Sequence, residues 1–536
     1  MRRERLIAFF SIAAGLALAA VTAAGAPFAA RVAASAAIAA APVAAPAATS
    51  AVRSAADQPS WIGEGTPYAT PYYVIDSGKA GPTVLVVGGV HGNEPAGAGA
   101  AEAIRRWTVA RGKLVVLPQA NRPALAARTR ETPRSGAGAA AAGSEANLNR
   151  AFPSAPSEPQ KGPLAAAIWR MVEGLRPDWL IDLHEGGGIA GAGDESVGSS
   201  VISCRDAQAR DRAQSMLDAV NATLDDERNR FVLRSQPIAG SLARAAGDRL
   251  GVRTMILETT SADQPRSLRQ RQHRVMVHRL LEDLKMAAGG PDVIAGPPGR
   301  LVRVAIYDGY GAHPSPTLDA ILAADGDMSV QWVGKSEVVG KALGQFDVLV
   351  VPGGSGSAEA KGLDSRGSEA VRDFVRAGGG YVGICAGAYL ATTGYTWSLG
   401  IINARMIDYN RGRAELDIEL TDAGRSILGN LPGRLKVIYA NGPVVGPSAK
   451  EGLPPYTVLA TFLGSPVPPP REPKAEMKGT PAIVCAPHEK GRVITISPHP
   501  EKTAGLEGLA RNAVRWAAGR QPRPLDERTP VTVGGR

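Results

Sequence analysis

Short apolar runs alternate with longer amphipathic stretches over most of the 536-residue chain. Between Ser60 and Ala288, the runs Thr83–Val87, Lys113–Leu117, Trp179–Leu183, Ser199–Ile202 and Val252–Leu257 read as buried strands. Helical periodicity fills the gaps at Gly162–Gly174 and Ala207–Leu224, and an Arg-rich helix is predicted over Arg266–Ala288. After a Gly- and Pro-rich linker the pattern resumes with strands at Val302–Tyr307, Asp347–Val351 and Tyr381–Ile384 and a helix at Ser368–Ala377. Ile401 to Pro500 is denser in short strands and loops, and a last helix is predicted at Ala504–Ala518. Strands alternating with helices predict an α/β fold in two domains, each a mostly parallel or mixed sheet with helices on both faces.

The predicted boundaries are an export signal and low-complexity spacer at 1–56, a first domain at 57–288 and a linker at 289–300. A second domain follows at 301–520, with a polar tail at 521–536. The N-terminus opens with Met1-Arg2-Arg3-Glu4-Arg5, followed by an uncharged run from Leu6 to Ala30 and small-x-small sites such as Ala24-Gly25-Ala26. That layout predicts export, to the periplasm, with cleavage of the signal. The uncharged run is also long enough to span a bilayer, so membrane attachment follows if it stays uncleaved. Lipid attachment is not expected, because the first cysteine is Cys204.

Composition narrows the function less. The formal charge of +10 comes from scattered arginines with no basic block, which argues against nucleic acid and suits anionic cell-envelope polymers. Three cysteines, Cys204, Cys385 and Cys485, cannot all pair, so at least one thiol is free.

The first run, Thr83–Val87, leads into Gly88-Gly89-Val90-His91-Gly92-Asn93-Glu94-Pro95. A His and a Glu three apart, just past a buried strand, stand where open α/β sheets place ligands, and both donors suit zinc. His-x-x-Glu is common by chance. A second apolar strand, however, ends in Asp182-Leu183-His184-Glu185-Gly186, and histidines number only seven. Two His and one Glu would leave a fourth metal position open for water, the catalytic pattern. Such a site also needs a proton acceptor and a cation. Glu258, at the end of Val252–Leu257, and the arginines of Ala127-Arg128-Thr129-Arg130 are candidates. Asn147-Leu148-Asn149-Arg150-Ala151-Phe152-Pro153 can be read simply as a turn. His273 and His278, on the charged helix, are expected at the surface.

Taken together, these residues resemble the zinc carboxypeptidase superfamily, and within it the succinylglutamate desuccinylase/aspartoacylase branch. The ordered elements are His91/Glu94, Arg130, Asn149/Arg150, His184 and Glu258. The resemblance implies that His91, Glu94 and His184 bind Zn2+ and that Asn149 and Arg150 grip a substrate carboxylate. It further implies that Arg130 stabilises the oxyanion and that Glu258 is the general acid/base. The Gly/Ala-rich stretch 131–145 looks like an insertion, and leaves Arg128 as an alternative to Arg130. The aromatic clamp of true carboxypeptidases has no evident counterpart.

In the second half, Tyr381-Val382-Gly383-Ile384-Cys385-Ala386-Gly387 reads as a strand, a Gly-x-Cys-x-Gly corner and a helix start, the form of a nucleophile elbow. Val351-Pro352-Gly353-Gly354 offers backbone N–H groups for an oxyanion, and His499-Pro500-Glu501 offers a base with its orienting acid. This half resembles class I glutamine amidotransferase-like domains, flavodoxin-like in fold, of the type at the N-terminus of biotin–protein ligases. With no synthetase or ammonia-accepting domain in view, a thiol hydrolase and a retained binding fold both remain open.

The expected activity is hydrolysis of an amide bond in a small peptide or acyl-amino-acid substrate with a free carboxylate, such as a cell-wall peptide. A thiol hydrolase centred on Cys385 and a binding protein without turnover are the alternatives.

Overall fold

The computed structural model describes residues 58–133, 147–155, 158–190, 196–431, 433–466 and 472–525. The predicted export signal and spacer, most of the predicted insertion and most of the polar tail lie outside these residues. Among the described residues no helix is long and apolar enough to cross a membrane.

The first lobe carries eight strands: β1 Ser60–Ile62, β2 Thr70–Asp76, β3 Thr83–Gly88, β4 Lys113–Leu117, β5 Trp179–Gly186, β6 Ser200–Ser203, β7 Val232–Ser235 and β8 Arg253–Thr260. Its helices are α1 Pro95–Ile104, α2 Arg122–Ala127, α3 Pro163–Leu175, α4 Ala207–Asn221, α5 Leu242–Leu250 and α6 Arg266–Asp283. The strands lie in the order β1-β2-β4-β3-β5-β8-β6-β7. The central four, β4, β3, β5 and β8, run parallel, whereas β2 and β6 join them antiparallel. β5 is buried along almost its whole length, which explains a run of Trp, Leu and Ile without alternation.

The second lobe begins with β9 Val302–Tyr307, α7 Leu318–Ala323, β10 Met328–Val333, α8 Lys335–Val339, β11 Val348–Val351 and α9 Gly356–Arg376. It continues with β12 Gly380–Ile384, α10 Ala386–Ala391, β13 Ala404–Asp408, β14 Arg413–Leu420, α11 Asp422–Leu428 and β15 Arg434–Ala440. The last elements are β16 Val444–Pro447, β17 Thr457–Phe462, β18 Pro481–His488, β19 Gly491–Ile496 and α12 Glu507–Ala517. Nine of these strands form one sheet, β10-β9-β11-β12-β19-β18-β17-β14-β15, parallel from β10 to β19 and antiparallel beyond. Strands β13 and β16 pair antiparallel in a small separate sheet; the fold is α/β, with two large mixed sheets flanked by helices, as the sequence predicts.

Differences from the sequence pattern have local causes. Strands β1, β2, β7 and β10 escape it because they lie at or beside sheet margins, where burial is partial and alternation weak. The helix predicted at Ser368–Ala377 is the second half of α9, which is broken at Asp364, with φ 57°. The Arg-rich helix α6 stops at Asp283, and it is not a surface helix. His273 is fully buried and His278 packs its ring against Trp107, so the expectation that both lie at the surface is corrected. The cause is that α6 is covered by its own lobe on one side and held by the second lobe on the other. Arg266 meets Asp319 at 2.7 Å, and Arg274 meets Glu337 at 2.7 Å.

Candidate active sites

At the C-terminal ends of β3, β5 and β8 three predicted ligands come together. His91 follows β3, Glu94 starts α1 and His184 lies on β5, and all three are buried. The turn at His91 passes so close to α2 that a Cβ on Gly92 would lie 1.9 Å from the Ala124 carbonyl oxygen, so only glycine fits there. Glu94 bridges the two imidazoles: Oε1 is 2.8 Å from His91 Nδ1 and Oε2 is 2.8 Å from His184 Nδ1. The candidate ligand atoms lie within 4.8 Å of one another, and they could hold a metal ion.

The far ring nitrogens also have polar neighbours. His91 Nε2 is 3.1 Å from Asn147 Oδ1, and His184 Nε2 is 3.2 Å from Asp182 Oδ2. The second contact is electrostatic, without the alignment of a good hydrogen bond. Asp182 was not singled out from the sequence. Its position two residues before His184 on one strand puts both side chains on the same face, which is the signal that could have found it.

The charges explain one another. Burial alone would push the His184 imidazole down, but Asp182 and Glu94 lift its pKa well above the usual value. Burial would push the Glu94 carboxyl up, but His184 and His91 hold it far below the ordinary carboxylate range. Glu258 stands opposite His184 in the β5–β8 register, and burial, aided by Glu94 and Asp182, pushes its pKa up to about 8. Both strands run three residues past the ends predicted for them, so His184 and Glu258 lie within strands.

The structure separates the two candidate arginines. Arg130, half-exposed, donates from Nη1 to Glu94 Oε1 at 2.7 Å. Arg128 turns away and donates to the Pro316 carbonyl of the second lobe. Asn149 is buried with an Oδ1 that has no partner among the described residues, and burial, then the charge of nearby Arg130, lowers the Arg150 pKa.

A second cluster sits where β12 meets α10. Cys385 occupies the corner with φ 52° and ψ −98°, a left-handed backbone that is unusual outside glycine. His499 lies beside Cys385, whose thiol donates to the Ala440 carbonyl at 3.4 Å, and its Nδ1 is 2.7 Å from Glu501 Oε1. Burial would lower the His499 pKa, but Cys385 and Glu501 raise it to about 9. A Cβ on Gly353 would lie 2.8 Å from His499 Cε1 and 3.6 Å from Cys385 Cβ, so that turn closes over both side chains. All three predicted residues of this site therefore meet.

Glu359, which no sequence motif marks, is fully buried, and neither carboxylate oxygen has a hydrogen-bond partner among the described residues. Burial and the neighbouring Cys385 push its pKa well up. Its place inside α9 carries no sequence signal beyond its charge.

Residues 80–284 match the model of the succinylglutamate desuccinylase/aspartoacylase catalytic domain, and residues 341–414 match that of the biotin-protein ligase N-terminal region. The first match spans every metal-site candidate, and the second includes Cys385 but ends before His499. A comparison with curated proteins returned no match. Among solved structures, tripeptide-bound cell shape determinant Csd4 from Helicobacter pylori is similar at 17% identity and a TM-score of 0.35, covering 44% of this chain and 66% of that one. Succinylglutamate desuccinylase/aspartoacylase from Rhodobacter sphaeroides is similar at 22% identity and a TM-score of 0.30, covering 42% of this chain and 62% of that one. The chain thus spans less than two thirds of the length of either.

Proposed function

We propose that this protein is a zinc-dependent hydrolase that cleaves an amide bond in a peptide or N-acyl amino acid bearing a free carboxylate. The observation that carries this reading is the convergence of His91, Glu94 and His184 beside Glu258. Two imidazoles and one carboxylate suit zinc and leave a position for water, and Asn147 and Asp182 can orient the two rings. When bound, zinc would supply a Lewis acid for the scissile carbonyl and lower the pKa of a water molecule.

The remaining roles fall to side chains. Glu258, buried and opposite His184 in the strand register, takes the proton of the attacking water and returns it to the leaving amine. Arg130 meets the developing oxyanion, since its half-exposed guanidinium can reach a substrate from its place on Glu94. Asn149 and Arg150 bind the substrate carboxylate, where a planar guanidinium gives a two-point contact. The N-terminal pattern supports export to the periplasm, where cell-wall stem peptides supply such substrates.

The test is the metal content of the purified full-length protein beside its activity on acyl-amino acids and muropeptides, with and without a chelator. About one zinc per chain and chelator-sensitive amide hydrolysis are expected; turnover that persists without metal would sink the reading. A second reading, a thiol hydrolase using Cys385, His499 and Glu501, is favoured by the His499–Glu501 bond and the contact with the thiol. Turnover abolished by iodoacetamide but not by chelation would select it.

A further inference from the structure

We infer that the second lobe positions the metal centre of the first, through Asp308, helix α6, Arg269 and Glu185. This rests on the metal-hydrolase reading above. Helix α6 begins after Pro265, which offers no side-chain cap, so its first N–H groups need an outside acceptor. Asp308, directly after β9 of the second lobe, provides one: its Oδ2 accepts from Ser267 N at 3.0 Å. A carboxylate at that end also meets the positive pole of an 18-residue helix. The Arg266–Asp319 and Arg274–Glu337 pairs fix the same helix to the same lobe, and the second pair is almost fully buried.

The other side of α6 faces the metal ligands. Arg269 pairs with Glu185, the residue after His184. The Glu185 carboxylate accepts from Ala96 N in the first turn of α1, and the Glu185 N–H donates to Glu94 Oε2 at 3.1 Å. Glu185 thus fixes both the helix that begins at Glu94 and one oxygen of Glu94 itself. Lower on α6, His273 Nε2 lies 3.3 Å from Thr259 Oγ1, beside Glu258. Arg269 is the charged partner that keeps the buried Glu185 in place, and α6 keeps Arg269 in place. Neither Arg269 nor Asp308 touches a ligand atom, so both are positioning residues.

Zinc affinity of the full-length protein, measured by competition with a chromophoric chelator, tests this alongside the melting midpoint of the metal-free form. Arg269→Ala should weaken zinc binding about tenfold or more, the usual effect of removing a group that orients a ligand. Asp308→Ala should weaken it several-fold. Arg269→Lys should recover part of the loss, and Asp308→Asn most of it, because the amide oxygen can still accept from Ser267. A purely structural role would lower the melting midpoint and leave the affinity of the folded protein unchanged, and that result overturns the inference. If Arg269→Ala does not fold, the Asp308→Ala and Asp308→Asn pair, further from the ligands, decides. Wild-type protein that binds no zinc would remove the metal-hydrolase reading as well, whereas zinc binding indifferent to all four substitutions would remove only the positioning role.

Discussion

In the first lobe His184 and Glu258 stand side by side on β5 and β8, and in the second Cys385 follows directly on β12. Both lobes therefore present reactive groups at the C-terminal ends of parallel strands, where such sheets leave a crevice. The candidate metal-site residues are held by each other: Glu94 bridges His91 and His184, Asp182 lies against His184, and Arg130 pairs with Glu94. The thiol site has one such pair, His499–Glu501, and rests otherwise on backbone shape. Cys385 sits in a conformation costing about 1–3 kcal/mol, under a turn that admits only glycine, near a Glu359 with no hydrogen-bond partner among the described residues. A site built on mutual charge should fail when a charge is altered, and one built on backbone should fail when a shape is altered.

The most severe break in the first lobe should be His184→Ala, which removes a ligand and the link between Glu94 and Asp182. Zinc content should fall from about one per chain to near none, with hydrolysis lost. Full zinc retention would show that the ligand set is wrong. Next comes Glu258→Gln, which should keep the metal yet lower kcat by about 10²–10⁴-fold, the span of general acid–base catalysis. Wild-type rates in that variant would remove Glu258 from the mechanism.

Amidating the free carboxylate of the substrate should lower kcat/KM roughly 10- to 100-fold, from loss of a charge-assisted bond worth about 1.5–3 kcal/mol. Equal turnover of acid and amide would count against Asn149 and Arg150. A gentler probe is pH. The metal-free His184 carries a raised pKa, so it holds a proton at neutral pH that zinc must displace. Zinc affinity should then fall by about tenfold per pH unit on acidification, with proton release visible by calorimetry in buffers of different ionisation enthalpy. Affinity independent of pH would contradict that charge state.

The smallest effect on hydrolysis is expected from the second lobe. Iodoacetamide should modify Cys385 faster than Cys204 or Cys485, the last a buried thiol pushed up to about 12. His499→Ala should slow the modification, and zinc-dependent hydrolysis should survive it. Loss of zinc-dependent turnover on alkylation would mean that the two sites work as one. A Cys385 no more reactive than the others would leave the lobe as a binding module.

Much of this was legible in one dimension. Buried parallel strands need unbroken apolar runs, so β3, β4, β5, β8, β9 and β12 stood out without an alignment. Reactive side chains at or just past the ends of such runs announce themselves by residue type, which made His91, Glu94, His184 and Cys385 visible. The choice between Arg128 and Arg130 was not legible, because two residues apart along a loop either could turn inward. Only the packed chain sent Arg130 to Glu94 and Arg128 to the second lobe.

Helix α6 marks the limit most clearly. Its arginines and histidines read as a solvated face, since local sequence reports polarity but not what comes to lie against it. The pairing of Arg274 with Glu337 and the capping of Ser267 by Asp308 depend on a lobe that begins after the helix has ended, and the burial of His273 depends on strands that precede it. The sequence by itself determined the α/β pattern, the ordered metal-site motif and the thiol corner, because each is written in neighbouring residues. Which charges meet across the two sheets was decided by tertiary structure alone, because burial and pairing belong to contacts that residues far apart in the chain make only once folded.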